Sequence, residues 1–246
     1  MCIRDRYYSL FSILSILLFW QISVSISQVP KYLLPAPSDV IISYVNNWEL
    51  ILRHLLVTLT EVILGLIFGI SFGFLTALYL ERSKTAILVL RPILIFSQAI
   101  PVFALAPLLT LWLGYGMFSK VVMAILIIYF PVTSTFYDGL SKIPINYIDL
   151  AKIMGSTQLR CLIYVKIPGA MQSLFSGIKL ASVYAPIGAV IGEWVGSSEG
   201  LGYLMLLANG RVQIDLMFAS LITLGFLSIS LYAIVSAIGN RLLRHY

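Results

Sequence analysis

Few side chains in this sequence could do covalent or metal chemistry, and their spacing excludes most of it. Cys2 and Cys161 are the only cysteines and His54 and His245 the only histidines, so neither a disulfide framework nor a zinc site can be assembled. No G-x-x-x-x-G-K-S/T loop is present to cradle nucleotide phosphates, so if ATP drives this protein another chain binds it. Glu61 and Glu193 are the two carboxylates deep in apolar sequence, Glu61 about two turns into one segment and Glu193 near the end of another. A charge is costly to keep inside a membrane, and one that stays there points to a function such as ion coupling. Two isolated glutamates do not make a proton relay, however, and contact with water or a neighbouring hydroxyl explains them equally well.

The segments that hold these residues are too apolar for a soluble core. Of 246 residues, 60% are hydrophobic and 11% charged, and the mean hydropathy is +0.98. Runs of about 18 apolar residues or more recur, enough for a helix to cross a bilayer. The expected fold is therefore an all-α integral membrane protein with six transmembrane helices. Its net charge of +6 concerns orientation in lipid, and nucleic-acid binding is the wrong inference from it.

Residues 1–6 read as a remnant ahead of a first transmembrane helix at 7–26. A cleaved signal peptide is the competing reading, disfavoured because Trp20 and Gln21 stand where small residues should lead to the cleavage site. Residues 27–54 form an external connection in which Pro35-Ala36-Pro37 is extended and Ser38 caps a helix outside the membrane. The core domain, 55–246, carries five more spans, at about 55–80, 92–113, 119–138, 177–195 and 216–238. Gly65, Gly69 and Gly73 recur every four residues on one helix face, as do Gly188, Gly192 and Gly196, the spacing that lets helix backbones approach closely. Pro101, Pro107, Pro131 and Pro186 fall within spans, where each removes a backbone donor and can kink its helix. The stretch from Gly200 to Ala208 is apolar but too short to span.

Six spans put both termini on one side, and the cations decide which. With the termini inside, Arg4, Arg6, Arg82, Lys84, Arg91, Lys142, Lys152, Arg160, Lys166, Lys179, Arg241 and Arg244 are internal, against Lys31, Arg53, Lys120 and Arg211 outside, twelve to four. That orientation also puts the longest stretch that cannot lie in a membrane, between spans four and five, in the cytosol. Pro144 starts a short helix there, Gly155 ends it in the left-handed conformation, and Ser156 caps a second helix, each of about ten residues. Ile145, Ile148, Ile153, Leu159, Leu162 and Ile163 give this hairpin apolar positions at helical spacing. It either packs beneath its own bundle or offers an apolar knob to a cytosolic partner.

Asp149, Ala151, Gly155 and Pro168, with Val165 and Ile167 before the proline, resemble the "EAA" loop of bacterial ABC importer permeases, although Asp149-Leu150 replaces the usual Glu-Ala. Gln98-Ala99-Ile100-Pro101, the run from Ala104 to Leu108, Leu111-Trp112-Leu113-Gly114 and the segment Gly192-Glu193-Trp194-Val195-Gly196 resemble the branch that imports alkanesulfonates, taurine, nitrate and thiamine pyrimidine precursors. The resemblance implies that this chain performs no bond chemistry. It implies a permease subunit in the bacterial inner membrane, paired with a second copy, with an ATP-binding cassette subunit carrying ATP-Mg in the cytosol and a substrate-binding protein on the periplasmic side. Asp149, Ala151, Gly155 and Pro168 would then couple the hairpin to the ATPase, and Gln98, Pro101, Trp112 and Glu193 are candidates for the substrate pathway. Within the branch a hydroxymethylpyrimidine-like solute is the first expectation, because Trp112, Tyr115, Trp194 and Tyr203 suit a flat ring, although an interfacial aromatic belt explains them too. A sulfonate, taurine or nitrate importer is the near alternative. An ion-coupled carrier or a membrane scaffold would belong to another class.

Overall fold

The computed structural model describes residues 3–245, all of it helix and connection, so residues 1 and 2 of the expected remnant lie outside the described residues. The remainder of 1–6 continues into α1 (Ile3–Ser27). Then come α2 (Pro37–Asn46), α3 (Trp48–Arg82), α4 (Lys84–Ala99), α5 (Val102–Leu113) and α6 (Met117–Ser141). The second half holds α7 (Ile145–Ile153), α8 (Gln158–Cys161), a π-helical turn (Leu162–Lys166), α9 (Ile167–Gly196), α10 (Leu201–Gly210) and α11 (Ile214–Leu242).

Among the described residues four helices are long and apolar enough to cross a membrane, those starting at Trp48, Met117, Gln158 and Ile214, and α4 with α5 supplies a broken fifth. The apolar part of α1 covers only Leu14–Ser27 in this respect, so its standing as a sixth span rests on the sequence. At about 1.5 Å per residue, the 35 residues of α3 reach well beyond a hydrocarbon core of about 30 Å. Its ends therefore project on both sides.

Three helices make the centre. Gly65, Gly69 and Gly73 on α3 face Ala124, Ile128 and Val132 on α6; a Cβ at Gly65 would stand 2.7 Å from that of Ala124. The parallel register places both helices in the same direction. Gly188 and Gly192 on α9 meet Ala124 and Lys120 in reverse order, so α9 runs antiparallel to α6. A larger side chain at these positions would push the backbones apart, which is why small residues concentrate there. Between the three helices Val62, Ile128, Val132, Phe136, Ala181 and Ala185 are buried, and Phe74 stacks on Phe136 with ring centroids 5.0 Å apart. Outside this centre α11 packs on α9 and α10, and α1 meets it through Trp20 and Phe218.

Several expectations change. The third span is not one helix: α4 and α5 meet at a bend of 100°. Ile100 and Pro101 are extended there (ψ 120 for each), as they must be when a proline lacks its donor and crowds the residue before it. Pro107, Pro131 and Pro186, by contrast, sit inside α5, α6 and α9 without ending them. The helix expected to be capped by Ser38 starts earlier, with Pro37 in its first turn and Ala36 as N-cap. Asp39 accepts both the Ala36 N–H and a 2.7 Å bond from Lys31. Lys120 and Lys179, expected at the ends of the fourth and fifth spans, lie within α6 and α9.

Candidate functional site

The hairpin is built to hold one shape. α7 ends in a double backbone lock: the Gly155 N–H reaches Lys152 O and the Ser156 N–H reaches Ala151 O, both at 2.9 Å. Gly155 takes φ +78, open to glycine at little cost and strained for other residues. Asp149 pairs with Lys152 one turn on, at 2.9 Å, and Ala151 is buried. Thr157, and not Ser156, caps α8, its hydroxyl accepting from Arg160 N at 3.3 Å. The expected second helix of about ten residues is not separate. α8 is four residues long and flows through the π turn into α9, giving 39 helical residues from Gln158 to Gly196. Pro168 sits in the first turn of α9, just after that wider turn. The tip is thus a short helix on the end of a rigid rod. Its outward side chains are apolar: Ile153 is 84% exposed and Met154 79%, with Tyr147 and Leu150 beside them. Glu81 grips Lys166 at the root and ties the rod to the end of α3.

At the opposite end of the bundle lies a polar cluster inside apolar packing. Glu61 and Glu193 are 0% and 1% exposed, so neither reaches water. Lys120 Nζ lies 3.1 Å from Glu61 Oε1 with both side chains buried, and donates to Ser197 Oγ at 2.6 Å. Glu193 accepts from Thr58 Oγ1 at 2.6 Å and from the Gly202 N–H. Thr58 Oγ1 in turn accepts the Leu201 N–H at 2.8 Å, and His54 Nδ1 accepts the Gly200 N–H at 3.0 Å. Three successive N–H groups at the start of α10 are therefore received by side chains of α3 and α9. These are the donors that a helix start leaves without internal partners. Gly200 permits this with φ +110, and a Cβ there would fall on the Glu193 carboxylate. Arg53 closes the outer rim on Glu199 at 3.1 Å. The cluster binds its own backbone and fixes a loop.

Of the four residues expected along a pathway, only Glu193 belongs to this cluster. Gln98 and Pro101 are exposed at the α4–α5 break, and Trp112 is 71% exposed on α5. Sequence reasoning missed Lys120, His54 and Thr58 as partners. One signal was available: Glu61, Lys120 and Glu193 each fall near the same end of a predicted span.

An all-helical bundle with four membrane-length helices, a broken fifth span and a projecting apolar hairpin is the architecture of a polytopic membrane protein. Over residues 69–245 the chain matches the family described as the binding-protein-dependent transport system inner membrane component, and it belongs to that family. A probable ABC transporter permease protein of Haemophilus influenzae is 52% identical, over 88% of this chain and 89% of that one. The formylaminopyrimidine transport permease protein ThiX of Halalkalibacterium halodurans is 34% identical (94% and 92% covered), and the riboflavin transport system permease protein RibX of Chloroflexus aurantiacus 33% (95% and 88%). Among solved structures, a chain of the MetNI methionine ABC transporter in an inward-facing conformation shares the fold at TM-score 0.68 and 19% identity, covering 81% of this chain and 97% of that one.

Proposed function

We propose that this chain is the membrane half of an ATP-driven importer for a flat nitrogen heterocycle, with a thiamine pyrimidine precursor such as hydroxymethylpyrimidine as the first candidate. The observation that carries the coupling role is the hairpin tip. Four large apolar side chains stand in solvent on a turn whose backbone is locked, a costly arrangement unless something covers them. An ATP-binding subunit that holds ATP-Mg and closes on it would carry the tip along, and the rod from Gln158 to Gly196 would pass the movement to the far end of the bundle. Asp149, Ala151, Gly155 and Pro168 keep the tip rigid in this reading.

The cation distribution supports a cytosolic hairpin. Setting aside mid-helix Lys179 from the twelve and buried Lys120 from the four leaves eleven against three. Both termini then lie inside, α2 and α10 lie on the periplasmic side, and a substrate-binding protein delivers solute there to a pair of permease copies. The solute class draws support from the two relatives at 34% and 33% identity, whose names specify a formylaminopyrimidine and riboflavin, both planar heterocycles. An ion-coupled mechanism draws less, since Glu61 stands in an ion pair with Lys120 and Glu193 accepts from Thr58 and the Gly202 N–H.

The test is uptake of labelled hydroxymethylpyrimidine by the permease reconstituted with its ATPase and binding protein, challenged with excess taurine. ATP-dependent uptake that taurine leaves intact supports the proposal. Displacement by taurine moves the solute to the sulfonate class, and uptake without the ATPase removes the coupling role.

A further inference from the structure

The hairpin has a second face. On α7 the side chains of Ile148 and Lys152 lie a turn apart, opposite Leu150 and Met154, and line a cavity of about 350 Å³. Its other wall is the corner where α3 gives way to α4, with Glu81, Arg82 and Lys84, and Lys166 closes it from the π turn. Four cations thus surround one carboxylate. Glu81 is committed to Lys166 and Asp149 to Lys152, and among the described residues neither Arg82 nor Lys84 has an acidic partner. Beneath these cations the floor is apolar, with Ile87, Leu162 and the buried Cys161.

Ile87 also borders a second groove on one face of α4, lined by Leu88, Arg91, Pro92, Ile95, Phe96 and Ala99. A cationic chamber next to a mostly apolar face of α4 has the polarity of an amphiphile with an anionic head. We propose that this site binds an acidic phospholipid, its phosphate held by Arg82, Lys84 and Lys152 and an acyl chain along α4. The adjoining α4 face favours a lipid over a free anion, because a free phosphate has no use for apolar surface. Such a lipid would bridge α7 to the α3–α4 corner from the side opposite the exposed tip. Any effect on ATP coupling rests on the hairpin role proposed above; the binding itself does not.

The experiment uses the assembled transporter in phosphatidylcholine bilayers with or without phosphatidylglycerol, and native mass spectrometry counts the lipid retained on release. Phosphatidylglycerol should stay with the wild type in preference to phosphatidylcholine. Retention should fall about thirtyfold in Arg82→Gln/Lys84→Gln, since each interfacial cation contributes about fivefold. Both side chains are exposed, so the double variant should fold. Equal retention by wild type and variant would overturn the proposal. A second arm measures N-ethylmaleimide alkylation of Gln158→Cys, an exposed position on the cavity wall, in protein lacking Cys2 and Cys161. Protection by phosphatidylglycerol supports the lipid, whereas equal protection by inorganic phosphate in phosphatidylcholine alone would replace the lipid with a free anion. Retained lipid with unchanged ATPase activity would leave the site standing and count against the coupling role.

Discussion

Lys120 shows how a buried charge can be structural. Its ammonium is held between Glu61 and Ser197, and removing it leaves a carboxylate in apolar surroundings with no cation. Lys120→Met should therefore destabilise the protein by about 3–5 kcal/mol, seen as a lower thermal midpoint in detergent, and Glu61→Gln in the same chain should restore most of the loss. An unchanged midpoint for the single variant would mean that the pair is not formed. Gly200 makes a sharper case. Gly200→Ala must adopt φ +110 and also meets the Glu193 carboxylate, so a loss of more than about 2 kcal/mol is expected, while Gly210→Ala, with nothing within 4 Å, should be neutral. The glycine stripes were legible in the sequence because a period of four is a property of one helix. The partnership of Lys120 with Glu61 was not, because it joins residues on different helices and no spacing encodes it. Lys120 stands at the start of an apolar run, where a cation ordinarily reads as a loop residue.

The elements divide in the same way. Helix existence came from hydropathy, and the ends of α3, α6 and α11 fall within several residues of the expected ones. Pro101 predicts a kink within one span, whereas the 100° break depends on how α5 packs against α6 and α9, which local sequence does not contain. The second half of the hairpin was mis-segmented for a related reason. A second helix of about ten residues from Ser156 stops short of Pro168, yet the π turn ahead of Pro168 lets the helix run through it. Rigidity of the tip is the property that matters for coupling. Gly155→Pro removes the N–H donated to Lys152 O and cannot reach φ +78, so uptake should fall to its ATP-free level with membrane insertion unchanged. Gly155→Ala has free space around it and should lose about 1 kcal/mol locally, giving intermediate uptake. Normal uptake by the proline variant would show that the lock is dispensable.

For the assembled transporter, orientation and drive are the open matters. In a background lacking Cys2 and Cys161, a membrane-impermeant maleimide applied to intact cells with permeabilised outer membranes should label Lys31→Cys and spare Lys142→Cys. The reverse pattern would invert the topology and put the hairpin on the wrong side for an ATPase. Coupling itself requires that the exposed tip transmit the energy of ATP. Uptake with and without ATP should be compared in the reconstituted complex for wild type and for Ile153→Asp/Met154→Asp, whose side chains touch little of their own chain. The prediction is ATP-dependent uptake in the wild type, reduced to the ATP-free level in the variant although it inserts and folds. Full ATP-dependent uptake by the variant, with its ATPase still bound, would contradict it.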